Sequence, residues 1–147
     1  MRRHSHAPVV FFNASVILAG LYSPSGGSGK LLLWVKNRKI NGLISEIILD
    51  EVCRRAPKIK QTSKKAKAEV TKIFSEIAEA PERSIVSLFD KIIIDRGDSH
   101  VLASCSDNKA DYLVTLDKKH LLILQKKIRE FHIVYPKELI EKLARIK

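Results

Sequence analysis

Short β-rich apolar runs alternate with helical patterns along this chain, and that alternation constrains the fold more than any other feature. The runs fall at residues 8–13, 42–44, 85–88, 92–94, 111–115 and 131–135. Helical signals lie between them. Residues 16–21 can continue as a helix into the breaker string SPSGGSG, and Ser28 can start a second helix carrying Leu31, Leu32, Leu33, Trp34 and Val35, with a stop expected near Asn41-Gly42. Ser45 is a good N-cap for a helix to about Ala56, where Pro57 stops it. Residues 61–80, 98–106 and 121–128 also read as helical, and 136–146 closes the chain with Pro136 in its first turn. Strands alternating with helices imply parallel neighbours joined by crossovers, hence a sheet covered on both faces. The expected architecture is a three-layer α/β/α sandwich with a central, mostly parallel sheet. A length of 147 residues gives one domain, in which 1–7 form a flexible basic tail.

Hydrophobic residues at 45% and charged residues at 29% are enough to bury a core and exclude a disordered chain. The 27 Lys and Arg against 16 Asp and Glu give a formal charge of +11, which favours a polyanionic partner: nucleic acid first, an anionic membrane second. Cys53 and Cys105 stand alone without metal-type spacing, so neither a disulfide framework nor a zinc site is indicated, and a reduced, cytoplasmic protein is expected. Arg2 and Arg3 before the apolar stretch 9–22 imitate a secretory signal. Asn13 and Ser15 interrupt that stretch, and it falls short of the ~18 apolar residues of a membrane span, so no membrane association is expected.

In an open parallel sheet, ligands bind beyond the carboxyl ends of the strands. Asn13 ends the first strand, Asp98 opens the helix after the III run, and Asp117 follows the YLVT strand. Taken singly, each could be a turn or capping residue. Glu51 projects between Ile47 and Ile48 on the side of Val52, whereas Glu46, Asp50 and Arg54 form the solvated stripe of the same helix. A carboxylate aimed at the core needs a partner, either Arg55 one turn on or a bound metal. Clustered carboxylates suit Mg2+ or Mn2+, which prefer oxygen ligands, and nucleic-acid hydrolysis is the natural chemistry of such a site.

The segments FNASVILAGLYSPSGGSGKLL, SEIILDEV, GDSHVLASC and ADYLVTLDKKHLL, in this order, resemble the PIN-domain family, especially its VapC-like subgroup of toxins from toxin–antitoxin pairs. The resemblance covers nearly the whole chain. It implies an α/β/α sandwich acting as a Mg2+- or Mn2+-dependent ribonuclease, with products bearing a 5′-phosphate, a homodimeric state and a small protein antitoxin as partner. The family's acidic quartet would fall on Asn13, Glu51, Asp98 and Asp117 as catalytic and metal-binding residues. Ser15 matches the polar residue after the first acid, and Thr115 matches the Thr of the TxD element that orients ligands or water. The chain departs from the pattern at the first acid, where Asn13 lowers the formal charge of the quartet from −4 to −3 and should weaken metal binding.

Arg54, Arg55, Lys58, Lys60, Lys64, Lys65 and Lys67 form a basic run without an acid, the best candidate for contact with an RNA backbone; its bland reading is a solvated helix face. Lys118 and Lys119, with Lys126, Lys127 and Arg129, form a second group beside Asp117. Aromatic residues are too few for evident base-stacking platforms. SPSGGSGK misses two fixed positions of the phosphate-loop template. His100 and His120 sit near the candidate acids, and surface placement is expected for both, with contact to a phosphate left open. The rival to the enzyme is a catalytically weakened or inactive PIN-fold module that binds RNA or protein. A phosphoacceptor receiver domain would need an acidic pair where Phe12-Asn13 stand.

Overall fold

The computed structural model describes residues 7–93 and 96–145. A five-stranded sheet forms its centre, with β1 (Val9–Phe12), β2 (Asn41–Ser45), β3 (Glu76–Ala78), β4 (Tyr112–Val114) and β5 (His132–Val134) in the order β3-β2-β1-β4-β5. Every pairing is parallel, with Phe11 opposite Leu43 in β2 and Leu113 in β4. All four residues of β1 are buried, as are Leu43, Ile44, Leu113 and Val114. A central parallel strand covered on both faces reads as a continuous apolar run, which is why VVFF carries no alternation.

The helices are α1 (Ala14–Tyr22), α2 (Gly27–Lys36), α3 (Glu46–Arg55), α4 (Ser63–Ile73), α5 (Arg83–Phe89), α6 (Ser99–Asp107) and α7 (Pro136–Ala144). The helices α1 to α4 pack on one another, and α5 packs on α6. The chain steps outward from β1 to β2 and β3, then returns to β4 and β5 on the other side of β1. With right-handed crossovers, these two directions put the two helix groups on opposite faces of the sheet. The α/β/α expectation therefore holds.

Close approach accounts for Gly29 and Gly42. A Cβ on Gly29 would lie 2.2 Å from the carbonyl oxygen of Pro24, so the SPSGGSG segment folds back onto the first turn of α2. A Cβ on Gly42 would lie 2.5 Å from Val35 of α2, so β2 and that helix meet without a side chain between them. The helix α2 ends at Lys36, earlier than expected. Asn37 caps it and Arg38 turns the chain at φ 61°, which releases Asn41 and Gly42 into β2.

Other expectations are corrected. Residues 61–80 are not one helix: α4 stops at Ile73, Phe74 becomes extended, and Glu76–Ala78 add an edge strand to β2. This edge strand is short and carries a charged residue, and it is stabilised by pairing rather than by its own apolar pattern. Residues 85–88 lie inside α5, not in a strand; β-branched residues are tolerated there because the helix packs on α6. Of the run 92–94, Ile92 lies in a turn and Ile94 falls outside the described residues. The stop expected at Pro57 holds, since α3 ends at Arg55 and the chain continues from there as a separate 3-10 turn over Ala56–Ile59. Within 121–128 only Leu122–Leu124 form a 3-10 turn. Most of the expected tail, residues 1–6, and Ile146 of the last helix also fall outside the described residues. No helix among the described residues is long and apolar enough to cross a membrane.

Candidate active site

The sheet changes direction between β1 and β4, and the crevice beyond their carboxyl ends is where a parallel α/β sheet exposes a ligand site. The backbone N–H of Asn13 donates to the carbonyl of Val114 at 3.0 Å, so the two strand ends are joined at the crevice floor. Asn13 is buried and caps α1: its Oδ1 accepts from the Ala14 N–H at 3.0 Å. Its Nδ2 donates to Thr115 Oγ1 at 2.8 Å and reaches Ser15 Oγ at 3.5 Å. Thr115 Oγ1 also accepts from the Asp117 N–H at 3.0 Å, and Ser15 Oγ accepts from the Leu116 N–H at 3.3 Å. This network fixes the loop after β4, and with it Asp117.

Asp117 in turn organises the next turn of chain. Its Oδ1 accepts from the His120 N–H at 2.9 Å, and its Oδ2 lies 3.2 Å from Nδ1 of the His120 ring. Asp98 arrives from the opposite side, at the end of a 3-10 turn that leads into α6. One donor atom each from Asp98, Asp117 and His120 lie within 4.8 Å of one another, and all three residues are half-buried. Two carboxylates and an imidazole at this spacing are a donor set that fits a divalent cation.

Glu51 is also half-buried, as its helical phase requires, and Arg55 satisfies it across one turn of α3, with Nη1 to Oε2 at 3.0 Å. It is not one of the three converging residues, but its charge acts on His100 of α6. Burial pulls the His100 imidazole below its ordinary value, and the Glu51 carboxylate partly opposes that pull. His100 Nδ1 is fully enclosed and has no hydrogen-bond partner among the described residues.

Of the expected site residues, the structure thus brings Asp98 and Asp117 together and joins Asn13, Ser15 and Thr115 to Asp117 by hydrogen bonds. Expected surface placement is corrected for His100, whereas the His120 side chain keeps 36% exposure at the edge of the cluster. His100 is half-buried against Glu51, and His120 is half-buried in the cluster itself. The nearness of His120 to Asp117 was visible in the sequence, but not its consequence, that a capping carboxylate three residues before it holds both the backbone and the ring of His120.

The basic run divides into paired and unpaired members. Arg54 bonds to Asp50 at 2.9 Å and Arg55 to Glu51, whereas Lys58, Lys60, Lys64, Lys65 and Lys67 are exposed. Lys64 and Lys67 edge a cleft of about 470 Å3 between α3 and α4. Lys118 and Lys119 are exposed beside Asp117, and Lys118 Nζ sits 5.1 Å from the centre of the Tyr135 ring.

The family model of the PIN domain matches residues 9–119. Among solved structures, the crystal structure of VapBC2 from Rickettsia felis, bound to a DNA fragment from their promoter, contains a similar chain. The TM-score is 0.60 at 16% identity, covering 86% of this chain and 98% of that one. No curated protein sequence matches the chain significantly.

Proposed function

The chain belongs to the PIN-domain family, and on that premise we propose that it is a divalent-metal-dependent endoribonuclease, the toxin component of a toxin–antitoxin pair. PIN domains are generally nucleases. The observation that carries the reading is the convergence of Asp98, Asp117 and His120 at the point where the parallel sheet changes direction. These residues would hold Mg2+ or Mn2+, which when bound polarises a phosphodiester and activates a water for attack at phosphorus. Glu51 adds a carboxylate on the α3 side, and Asn13, Ser15 and Thr115 position the loop that carries Asp117.

The exposed lysines would supply what the acids cannot. A phosphate backbone is repelled by a carboxylate cluster and attracted by Lys58, Lys60, Lys64, Lys65, Lys67, Lys118 and Lys119, while Arg54 and Arg55 are drawn partly into ion pairs with α3. A protein antitoxin and a second copy of the chain complete the reading, together with a cytoplasmic location. The R. felis VapBC2 structure, bound to promoter DNA, supports the antitoxin pairing. A cleft of about 350 Å3 edged by Leu21, Leu32, Leu33, Lys36 and Lys65 offers a mixed apolar and basic surface to a protein segment.

Cleavage of single-stranded RNA that stops on chelation and returns with Mn2+ supports this function. One observation favours a second reading, a PIN-fold module that binds RNA or protein without cleaving. Asn13 places a neutral amide at the first acid position, with its oxygen already held by Ala14 and its nitrogen donating to Thr115. If Asp98→Ala and Asp117→Ala leave RNA affinity and cellular effect unchanged while no cleavage is seen, that second reading replaces the enzyme.

A further inference from the structure

We propose that His120 is itself a metal ligand, completing with Asp98 and Asp117 a mixed oxygen and nitrogen site that holds Mn2+ in preference to Mg2+. The proposal deepens the metal-nuclease reading and rests on it for the identity of the crevice. Three observations carry it.

The first is geometric. The His120 ring lies with Nδ1 3.2 Å from Asp117 Oδ2, and the donor atoms of all three residues fall within 4.8 Å. In an octahedral ion with ligand bonds of about 2.1 Å, neighbouring donors stand about 3 Å apart, so the imidazole and the carboxylate can share one cation as adjacent ligands. The second is local order. Asp117 Oδ1 holds the His120 backbone N–H at 2.9 Å, so the residue returns over the carboxylate by a fixed turn and not by a chance rotamer of a free loop.

The third concerns Asn13. Its amide oxygen accepts from the Ala14 N–H and its amide nitrogen donates to Thr115, so this position brings no negative charge to the crevice and has one of its oxygen lone pairs already engaged. The imidazole of His120 makes up the missing donor, and it changes the chemistry in doing so. Mg2+ dehydrates reluctantly and takes oxygen ligands, whereas imidazole nitrogen suits the later first-row ions, with Mn2+ tolerant of both. His100, the other histidine of the region, is absent from the converging trio and serves as the control.

The test is metal binding by the full chain, stripped of metal and titrated calorimetrically with MnCl2 or MgCl2, without RNA. Wild type should bind Mn2+ about tenfold more tightly than Mg2+; His120→Gln should lose about tenfold in Mn2+ affinity with little change for Mg2+. Electron spin-echo modulation of the Mn2+ form should show coupling to an imidazole nitrogen, kept in His100→Gln and lost in His120→Gln. The wild-type spectrum alone decides the matter should His120→Gln fail to fold. Mn2+ bound without nitrogen coupling, coupling that disappears in His100→Gln instead, or unchanged Mn2+ affinity in His120→Gln overturns the proposal and leaves the metal-nuclease reading standing. Failure of wild type to bind either ion overturns both.

Discussion

Asn13 donates its side-chain amide to the Thr115 hydroxyl over 2.8 Å, a buried bond between residues 102 apart in sequence that ties the end of β1 to the end of β4. Thr115 receives the Asp117 N–H on the same oxygen, so the neutral residue at the first acid position and the carboxylate after β4 are positioned through one hydroxyl. An Asp at position 13 could not donate. In Asn13→Asp the bond reverses, with Thr115 donating to the new carboxylate, and the Thr115 oxygen can still accept from Asp117.

That shared hydroxyl makes Thr115→Val a sharper test than its size suggests. The substitution keeps the shape but leaves the buried Asn13 Nδ2 with only its 3.5 Å contact to Ser15 and the half-buried Asp117 N–H without its acceptor. A loss of about 1–3 kcal/mol is expected in urea denaturation, with most of it recovered by Thr115→Ser. A Thr115→Val protein as stable as wild type would show that the hydroxyl organises nothing.

Gly29→Ala should destabilise the chain although alanine is the better helix former. The added Cβ meets the Pro24 backbone at 2.2 Å, where no flexible side chain can yield. Overpacking of this kind costs roughly 1–3 kcal/mol, against a helix gain of about 1 kcal/mol. A raised melting temperature in Gly29→Ala would mean that the turn before α2 relaxes freely.

The two cysteines should part in thiol labelling. Burial pushes the Cys105 thiol well above its ordinary value, and burial raises Cys53 as well, opposed in part by Lys67. At pH 8 a disulfide-exchange reagent should modify Cys53 in the native protein and reach Cys105 only on unfolding. A pKa raised in the folded state contributes stability below the unfolded value, near 8.5, and that contribution is lost as pH rises above it. Alkaline loss of stability should therefore be smaller in Cys105→Ala than in wild type.

For RNA binding, Lys58, Lys60, Lys64, Lys65 and Lys67 should each contribute to a salt-dependent affinity without sequence preference. Replacing one that contacts phosphate by Ala should lower the slope of log affinity against log salt by about 1. Arg54→Ala should change it less, because Asp50 already engages that guanidinium. Equal slopes for all these variants and wild type would remove the basic run from the interface.

Much of this molecule was legible before its structure because its strongest signals are physical. A buried central strand must be apolar throughout, so VVFF and YLV announce themselves; Ser45 caps α3 through its hydroxyl to Ile48, as its place before an amphipathic run requires. Elements that depend on partners were not legible. The strand Glu76–Ala78 exists by pairing with β2, and IVSL in 85–88 is helical because α5 has α6 to pack on. Strand-end logic pointed to Asn13, Asp98 and Asp117, and helical phase to Glu51 with its alternative partner Arg55. His120 escaped because a histidine in a loop has no periodicity; only the folded turn shows the ring returning to Asp117.

The most direct measurement is cleavage of an end-labelled single-stranded RNA in Mn2+ and in Mg2+ by wild type, Asn13→Asp and Asp117→Asn. The account predicts cleavage by wild type that is stronger in Mn2+, increased in Asn13→Asp and absent in Asp117→Asn. Cleavage that persists in Asp117→Asn, or silence of wild type and Asn13→Asp in both metals, would contradict it.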